Sequence, residues 1–427
     1  MSQKDKGEGG APTPTSSPAP LTRDPDFLKF WVGQSISVFG SQFSTIAIQA
    51  IAITTIVATN TQLGLLAFFN TIPFLTLGLL VGVWTDRHRR RRIMIFADFG
   101  RAATLLSIPL AFFALGLGGL TMNLLYAVTL VAGILTVFFE IAYQAYIPSL
   151  VQKSQLVDAN TKLETSRSIA QVAGPSAAGF ALGLVTAPLV ILGDVLGYLS
   201  SSLSLLSLRK PEPMMAAGVP KSTWHDIRQG LSIVFGDKRL RAIAGTTAIS
   251  NLFSSAFGAI TLKYLNVNLT MPFALIGLAG GLGSLGGVLG ALTAGRYIKV
   301  LGVGRAIVLG AVVGSLPPIA LYFASPGDAF AVAVTVGFFT SLGVLWYNIP
   351  QVSYRQALVP RDLQGRMNAT MRTIVWGTLP LGGLMGGVVG DIVGTRSTMG
   401  LMAALGSIAF LSVLLSPVRS VREMPKD

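Results

Sequence analysis

The sequence predicts an all-α membrane protein with twelve transmembrane helices in two six-helix, pseudo-symmetric bundles. Three observations carry that expectation. The chain of 427 residues is 51% hydrophobic and only 12% charged, whereas soluble domains carry about 25% charged residues. Its apolar residues fall into successive stretches, each near the ~20 residues that a spanning helix needs. The two halves of the chain also resemble each other at a fixed spacing.

Residues 1–26 are rich in Pro, Gly, Ser and Thr with interspersed charge, the composition of a disordered tail. They lack the short apolar core and small-residue cleavage site of a signal peptide. The predicted spans follow at 28–57, 62–84, 93–115, 121–146, 163–185, 188–208, 240–264, 272–294, 305–324, 329–352, 367–390 and 397–416. Residues 27–208 are thus expected to form the first six-helix bundle and 239–416 the second. A cytoplasmic linker at 209–238 joins them, and 417–427 form a tail. The 48 glycines suit this class, because small residues let membrane helices approach closely.

Twelve spans put both termini on one side. Loop 85–92 reads Thr-Asp-Arg-His-Arg-Arg-Arg-Arg, and loop 147–162 adds Lys153 and Lys162. The same side carries Arg209, Lys210, Lys221, Arg228, Lys238, Arg239 and Arg241, then Arg296, Lys299, Arg305, Arg355, Arg361 and Arg366, and finally Arg419, Arg422 and Lys426. The opposite side carries Lys263 and Arg396. The positive-inside rule therefore makes both termini cytoplasmic and the location the inner (plasma) membrane. The net charge of +14 is spread over every cytoplasmic loop rather than gathered on one face, which argues against a nucleic-acid partner. With no cysteine, disulfides, thiolate zinc sites and cysteine catalysis are excluded, and two histidines make a histidine metal site improbable. The run Gly280-Gly281-Leu-Gly283 has no preceding strand and lies inside a predicted span, so it reads as helix packing and not as a phosphate loop. No metal, no cofactor and no enzymatic activity are expected.

The halves match at an offset of 208 residues. Gly78, Gly82 and Thr85 fall on Gly286, Gly290 and Thr293; Leu150, Val151 and Asn160 fall on Leu358, Val359 and Asn368; Gly174 and Gly179 fall on Gly382 and Gly387. This spacing implies parallel repeats with a shared site between them near mid-membrane.

Residues 82–94 read Gly-Val-Trp-Thr-Asp-Arg-His-Arg-Arg-Arg-Arg-Ile-Met. This resembles the signature loop between helices two and three of the major facilitator superfamily, matching at Gly82, Asp86, Arg87, Arg90 and Arg91, with Arg89 in place of the usual second glycine. Further stretches resemble the proton-coupled exporter branch that includes macrolide, tetracycline and siderophore efflux proteins: Phe-Trp-Val-Gly-Gln-Ser from Phe30, Asp98-Phe-Gly-Arg101, Gln171-Val-Ala-Gly174-Pro175 and Asp194-Val-Leu-Gly-Tyr198-Leu-Ser200. Ala170 and Ala178 stand where the antiporter signature commonly has glycine, and the basic residue many proton antiporters carry in helix four is absent. The resemblance implies a secondary transporter energised by the proton gradient.

Within that frame, Asp86 with Arg87, Arg90 and Arg91 forms a candidate charge latch at the cytoplasmic mouth. Arg89 and Arg92 read as topological anchors. Asp98 and Arg101, three residues apart, can pair on one helix face and support the latch. In the second half Ala294 stands at the position of the aspartate. Glu140 and Asp194 are the carboxylates placed deepest in predicted spans, and an enclosed acid suits reversible proton uptake; each is a candidate for proton coupling. Gln34, Ser37, Ser41, Thr45 and Gln49 share one face of the first span, as do Thr247, Asn251, Ser254, Gly258 and Thr261 on the seventh. These faces are expected to line a shared central cavity, the alternative being polar glue between packed helices. The candidate substrate-binding residues are Gln34, Gln42, Gln49, Phe69, Asn70, Tyr143, Asn251, Trp346, Tyr347, Asn348 and Trp376. Aromatic walls with few polar groups suit a large amphipathic ligand. The expected activity is proton-driven efflux of an amphipathic organic compound, an antibiotic or siderophore-like metabolite, by a monomer in the lipid bilayer. The alternatives are a small-metabolite uniporter or importer, and a receptor or scramblase on the same fold.

Overall fold

The structure is a computed structural model that describes residues 20–85, 87–212 and 223–424. The expected tail at 1–19, the signature aspartate Asp86 and the middle of the linker, 213–222, lie outside the described residues. Every regular element among the described residues is helical. The principal helices are α1 (Pro25–Ala50), α2 (Asn60–Thr85), α3 (Arg90–Leu115), α4 (Met122–Leu150), α5 (Leu156–Leu184), α6 (Leu192–Leu206), α7 (Thr223–Gly236), α8 (Lys238–Lys263), α9 (Phe273–Leu301), α10 (Val303–Ser315), α11 (Ala329–Leu358), α12 (Arg361–Val393) and α13 (Thr395–Ser407).

Eleven of the described helical segments are long and apolar enough to cross a bilayer. The expected fifth span differs. Its helix, α5, is 29 residues long but carries too many Ser, Thr, Gln and charged residues to qualify on apolarity. It lies between α1 and α9, so part of its polar face meets protein. The linker is partly helical. Its second part is α7, which packs on α12: a Cβ on Gly230 would lie 2.7 Å from the Arg366 carbonyl.

The repeat is legible in the elements themselves. Asp24 caps α1 by accepting from the main-chain N–H groups of Asp26 and Phe27; Asp237 caps α8 by accepting from Arg239 and Leu240. The end of α1 loosens into a π turn at Ile51–Thr55, and that of α8 into one at Tyr264–Asn268. Each is followed by a β-branched residue at positive φ, Val57 at 55° and Thr270 at 52°. All these pairs, and the first residues of α2 and α9 and of α3 and α10, are 213 positions apart. From α4 onward the spacing falls to 208, as between Leu150 and Leu358, the last residues of α4 and α11. The offset of 208 therefore holds for the later helices and is corrected to 213 for the first three. Gly82 corresponds to Gly295, not Gly290, and the position of Asp86 to Lys299, not Ala294. Side-chain contacts agree: Trp84 on α2 meets Phe138 on α4 edge-on, and Tyr297 on α9 stacks on Trp346 of α11.

The buried apolar side chains form four clusters, two drawn from residues 21–208 and two from 234–418. Large apolar residues such as Phe96, Leu115, Leu292 and Ile392 are exposed, as on lipid-facing helix surfaces. Gly302 and Gly394, at φ of 78° and 87°, each form the single-residue link between two helices. That backbone region is cheap only for glycine, so these sharp reversals depend on it.

Candidate functional site

In the first half, α1 and α6 touch backbone to backbone. A Cβ on Gly40 would lie 2.8 Å from the Gly193 carbonyl, and Gly197 approaches the Cα of Ser37. This contact carries the polar face of α1 against α6 and α3 and builds an enclosed cluster. Gln34 Nε2 donates to Ser201 Oγ at 2.7 Å, and Ser201 Oγ donates to Asp98 Oδ2 at 2.6 Å. Asp98 also pairs with Arg101. The Arg101 guanidinium sits between the rings of Phe139 and Tyr198, 4.2 and 4.1 Å from their centroids, where ring faces attract a cation. Four residues toward the helix start from Tyr198, Asp194 accepts from Ser44 Oγ, while its Oδ1 has no hydrogen-bond partner among the described residues. Asp98 and Asp194 are both fully enclosed, at 0% exposure.

This placement bears on two expectations. Asp98 and Arg101 pair, as their spacing allowed, but not at the mouth: Asp98 lies eight residues inside α3, about 12 Å at 1.5 Å per residue. Glu140 is not enclosed. Its side chain retains 29% exposure and faces Arg167 of α5 at 3.8 Å. The sequence reading missed Arg167, Ser44 and Ser201.

At the end where α1 begins, hereafter the near end, Glu212 accepts from the main-chain N–H groups of Arg90 and Arg91, at the start of α3. Arg90 Nη1 reaches the Ala145 carbonyl and Arg91 Nη2 the Leu206 carbonyl, each at 3.0 Å. Two of the expected latch arginines thus tie α3 to α4 and α6. Arg87 is exposed and lines a surface groove with Trp84, His88, Arg89 and Arg92. Beside them Asp26 accepts from the main-chain N–H groups of Arg209 and Lys210, and Asp24 pairs with the Lys210 ammonium. Burial of Asp24 works against its charge, but the Lys210 ammonium and the helix N–H groups outweigh it and hold the carboxyl below its ordinary range.

A cavity of about 540 Å³ lies in the second half, among α8, α9, α10, α11 and α13. Asn251, Tyr347 and Asn348 line it, with Thr247, Ser254 and Thr261 of the expected α8 face. The other candidate binding residues are elsewhere. Gln34 is buried in the charged cluster and Gln42 lies against Gly174. Gln49 is half-buried on α1. Phe69 packs on Tyr126, and the Asn70 carbonyl lies beside Gly133. Tyr143 stacks on Phe30 and Phe139. Trp346 donates to Thr293, and Trp376 packs on Phe74 and Arg372. Every residue lining this cavity comes from the second half, so this cavity is not one that α1 and α8 share.

The halves meet along two seams related by the repeat. On one, a Cβ on Gly64 of α2 would lie 2.6 Å from the Gly383 carbonyl of α12, with Gly387 beside it. On the other, a Cβ on Gly277 of α9 would lie 2.2 Å from the Pro175 carbonyl of α5, with Gly179 beside it. Asp391 of α12 caps α2 across the first seam, accepting from Asn60 and Thr61 N–H at 2.8 Å each. Lys263 adds a bond to the Ala58 carbonyl. These contacts gather at the far end, opposite the start of α1. Toward the near end, added Cβ atoms on Gly78, Gly82, Gly295 and Gly365 of the same helices would meet open space.

Repeated helices, a polar cluster within the membrane-length segments and seams that seal one end together define a multi-pass membrane transporter. The Major Facilitator Superfamily profile matches residues 30–379, and the chain belongs to that superfamily. It is similar to macrolide efflux protein A of Streptococcus pyogenes, 23% identical over 406 residues that cover 93% of this chain and 97% of that protein. The multidrug efflux pump Tap of Mycolicibacterium fortuitum is 24% identical over 361 residues, 78% of this chain and 82% of that one. Among solved structures, a point variant of the nucleoside transporter NupG superposes with a TM-score of 0.74 at 14% identity, covering 91% and 98% of the two chains.

Proposed function

We propose that the chain is a proton-driven exporter of an amphipathic organic compound, working by alternating access in the plasma membrane. One observation carries the coupling. Two enclosed carboxylates, Asp98 and Asp194, lie within the influence of one enclosed guanidinium, Arg101, which pairs with Asp98. Arg101 neutralises one of them, and a second charge without a partner is costly at that depth. A proton on Asp194, whose Oδ1 is unpartnered, restores neutrality. Releasing that proton changes the charge of a cluster that joins α1, α3 and α6, which gives a physical means of biasing one conformation over another. Glu140, partly exposed beside Arg167, is the weaker candidate.

The rest of the reading follows. Twelve crossings, with α5 as the twelfth, divide into six-helix bundles at 27–208 and 239–416, and the basic loops place both termini in the cytoplasm. The sealed far end is then extracellular, and the described conformation is open toward the cytoplasm. Relatives named for macrolide and multidrug efflux support export. In proteoliposomes with an imposed pH gradient, the native protein should concentrate a drug substrate against its gradient, and Asp194→Asn should abolish that while sparing downhill exchange. Uphill transport by Asp194→Asn, or native transport indifferent to the gradient, overturns the proposal; the latter is the behaviour of a uniporter.

A further inference from the structure

The charged cluster and the cavity occupy equivalent places in the two repeats. At a spacing of 213, Gln34, Ser44, Asp98 and Arg101 fall on Thr247, Phe257, Ala311 and Gly314. At 208, Phe139, Asp194 and Tyr198 fall on Tyr347, Met402 and Gly406. All seven of these second-half residues line the cavity. Asp98, Arg101 and Tyr198 in one repeat are thus alanine, glycine and glycine in the other, and Asp194 is methionine. The packing follows: α3 packs closely along α6, whereas α10 and α13 barely touch. Loss of the Arg101 and Tyr198 side chains at the equivalent positions, Gly314 and Gly406, contributes to the room in this cavity.

Its chemistry is correspondingly different. None of the residues lining it is Asp, Glu, Lys, Arg or His. Its polar groups are hydroxyls and amides, among them Thr247 Oγ1 and Tyr347 OH, 2.7 Å apart, and its apolar wall includes Phe253, Phe257 and Ile276. Thr340 lines it with a buried hydroxyl that has no hydrogen-bond partner among the described residues. A buried hydroxyl without a partner is costly, and a ligand oxygen would satisfy it. A charged ligand would find no counter-charge there, which is costly at membrane depth. The volume suits a drug-sized molecule.

We propose that this second-half cavity binds the transported compound in an uncharged, hydrogen-bonding form, while the equivalent space in the first half handles the proton. The inference rests on the exporter reading for the word "transported", but the binding claim is tested apart from transport. Purified protein in lipid nanodiscs is titrated with tritiated chloramphenicol, which is uncharged and bears hydroxyls and an amide, and with tritiated tetraphenylphosphonium, a permanent cation. Chloramphenicol should bind at least about tenfold more tightly than the cation. Ser254→Phe, which fills the cavity from α8, should abolish binding. Thr340→Val, which keeps the shape and removes the hydroxyl, should weaken it about three- to tenfold with a thermal midpoint at or above the native one. Equal or tighter binding of the cation, no chloramphenicol binding at all, or native affinity in both cavity variants overturns the assignment. Failure of Asp194→Asn to lose uphill transport, with the binding pattern intact, overturns the proton proposal alone.

Discussion

Gly277→Ala is the sharpest perturbation of the far-end seal. The added Cβ would lie 2.2 Å from the Pro175 carbonyl and 3.0 Å from the Cα of Gly179, where ordinary contact begins near 3.4 Å. Both neighbours are backbone, so no side chain can rotate aside, and α5 and α9 must part by roughly 1 Å. Overpacking of this kind costs about 1–3 kcal/mol. The cost falls only on the state in which the seam is closed, so the ratio of sealed to open molecules should drop about 5- to 150-fold. Because the chain has no native cysteine, Val185→Cys and Leu275→Cys can report the α5–α9 separation by spin-label distances in nanodiscs; both side chains are exposed. The longer-distance population should grow in Gly277→Ala. Gly78→Ala, with nothing within 4 Å of its added Cβ, should match the native distribution. An unchanged distribution in Gly277→Ala refutes the claim that backbone contact at this seam holds the described state.

Four further outcomes are expected. Asp391→Asn should weaken the cap on α2 and open the other seam in the same direction, read with labels at Thr59→Cys and Val393→Cys. Arg101→Gln leaves two enclosed carboxylates without a cation and should cost about 3–5 kcal/mol of stability, partly restored by adding Asp98→Asn, as thermal unfolding in detergent would show. Asp237 is also held below the ordinary carboxylate range: burial opposes its charge, but hydrogen bonds from Arg239 and the helix N–H groups outweigh it. Its contribution, like that of Asp24, is therefore full above about pH 4 and is lost as pH falls through the depressed value, so Asp237→Asn should flatten the loss of thermal midpoint below pH 4. Reporter fusions after Gly236 should read as cytoplasmic and those near Pro326 as external; the reverse would overturn the assigned orientation.

Much of the fold was legible because apolar length and glycine content are local properties. The α8 helix expected at 240–264 appears at 238–263, with a π turn continuing to Asn268. The α5 helix was placed correctly as a helix although it is more polar than the other eleven segments. The first-half register was misread because glycine matches are cheap in a glycine-rich chain: Gly82 aligned with Gly290 by chance, and the helix caps, the π turns and the Trp84–Phe138 and Tyr297–Trp346 contacts fix the true correspondence. The Asp98–Arg101 pair follows from helical spacing. Its depth and its partners do not, because Ser201, Tyr198 and Phe139 are brought to it from α6 and α4. Asp391 and Glu212 carried no local signal at all, since each caps a helix distant in sequence.

Seams built from glycine and main chain have a consequence for cycling. Closing such a surface freezes few side-chain torsions, so little rotamer entropy is lost on each closure. Parting it uncovers carbonyl oxygens, such as those of Pro175, Phe273 and Gly383, that water solvates readily, rather than a greasy face. The closed joint is also too tight to hold a water file between the helices. The far end can therefore act as a dry, low-friction shutter, leak-proof when shut and inexpensive to reopen.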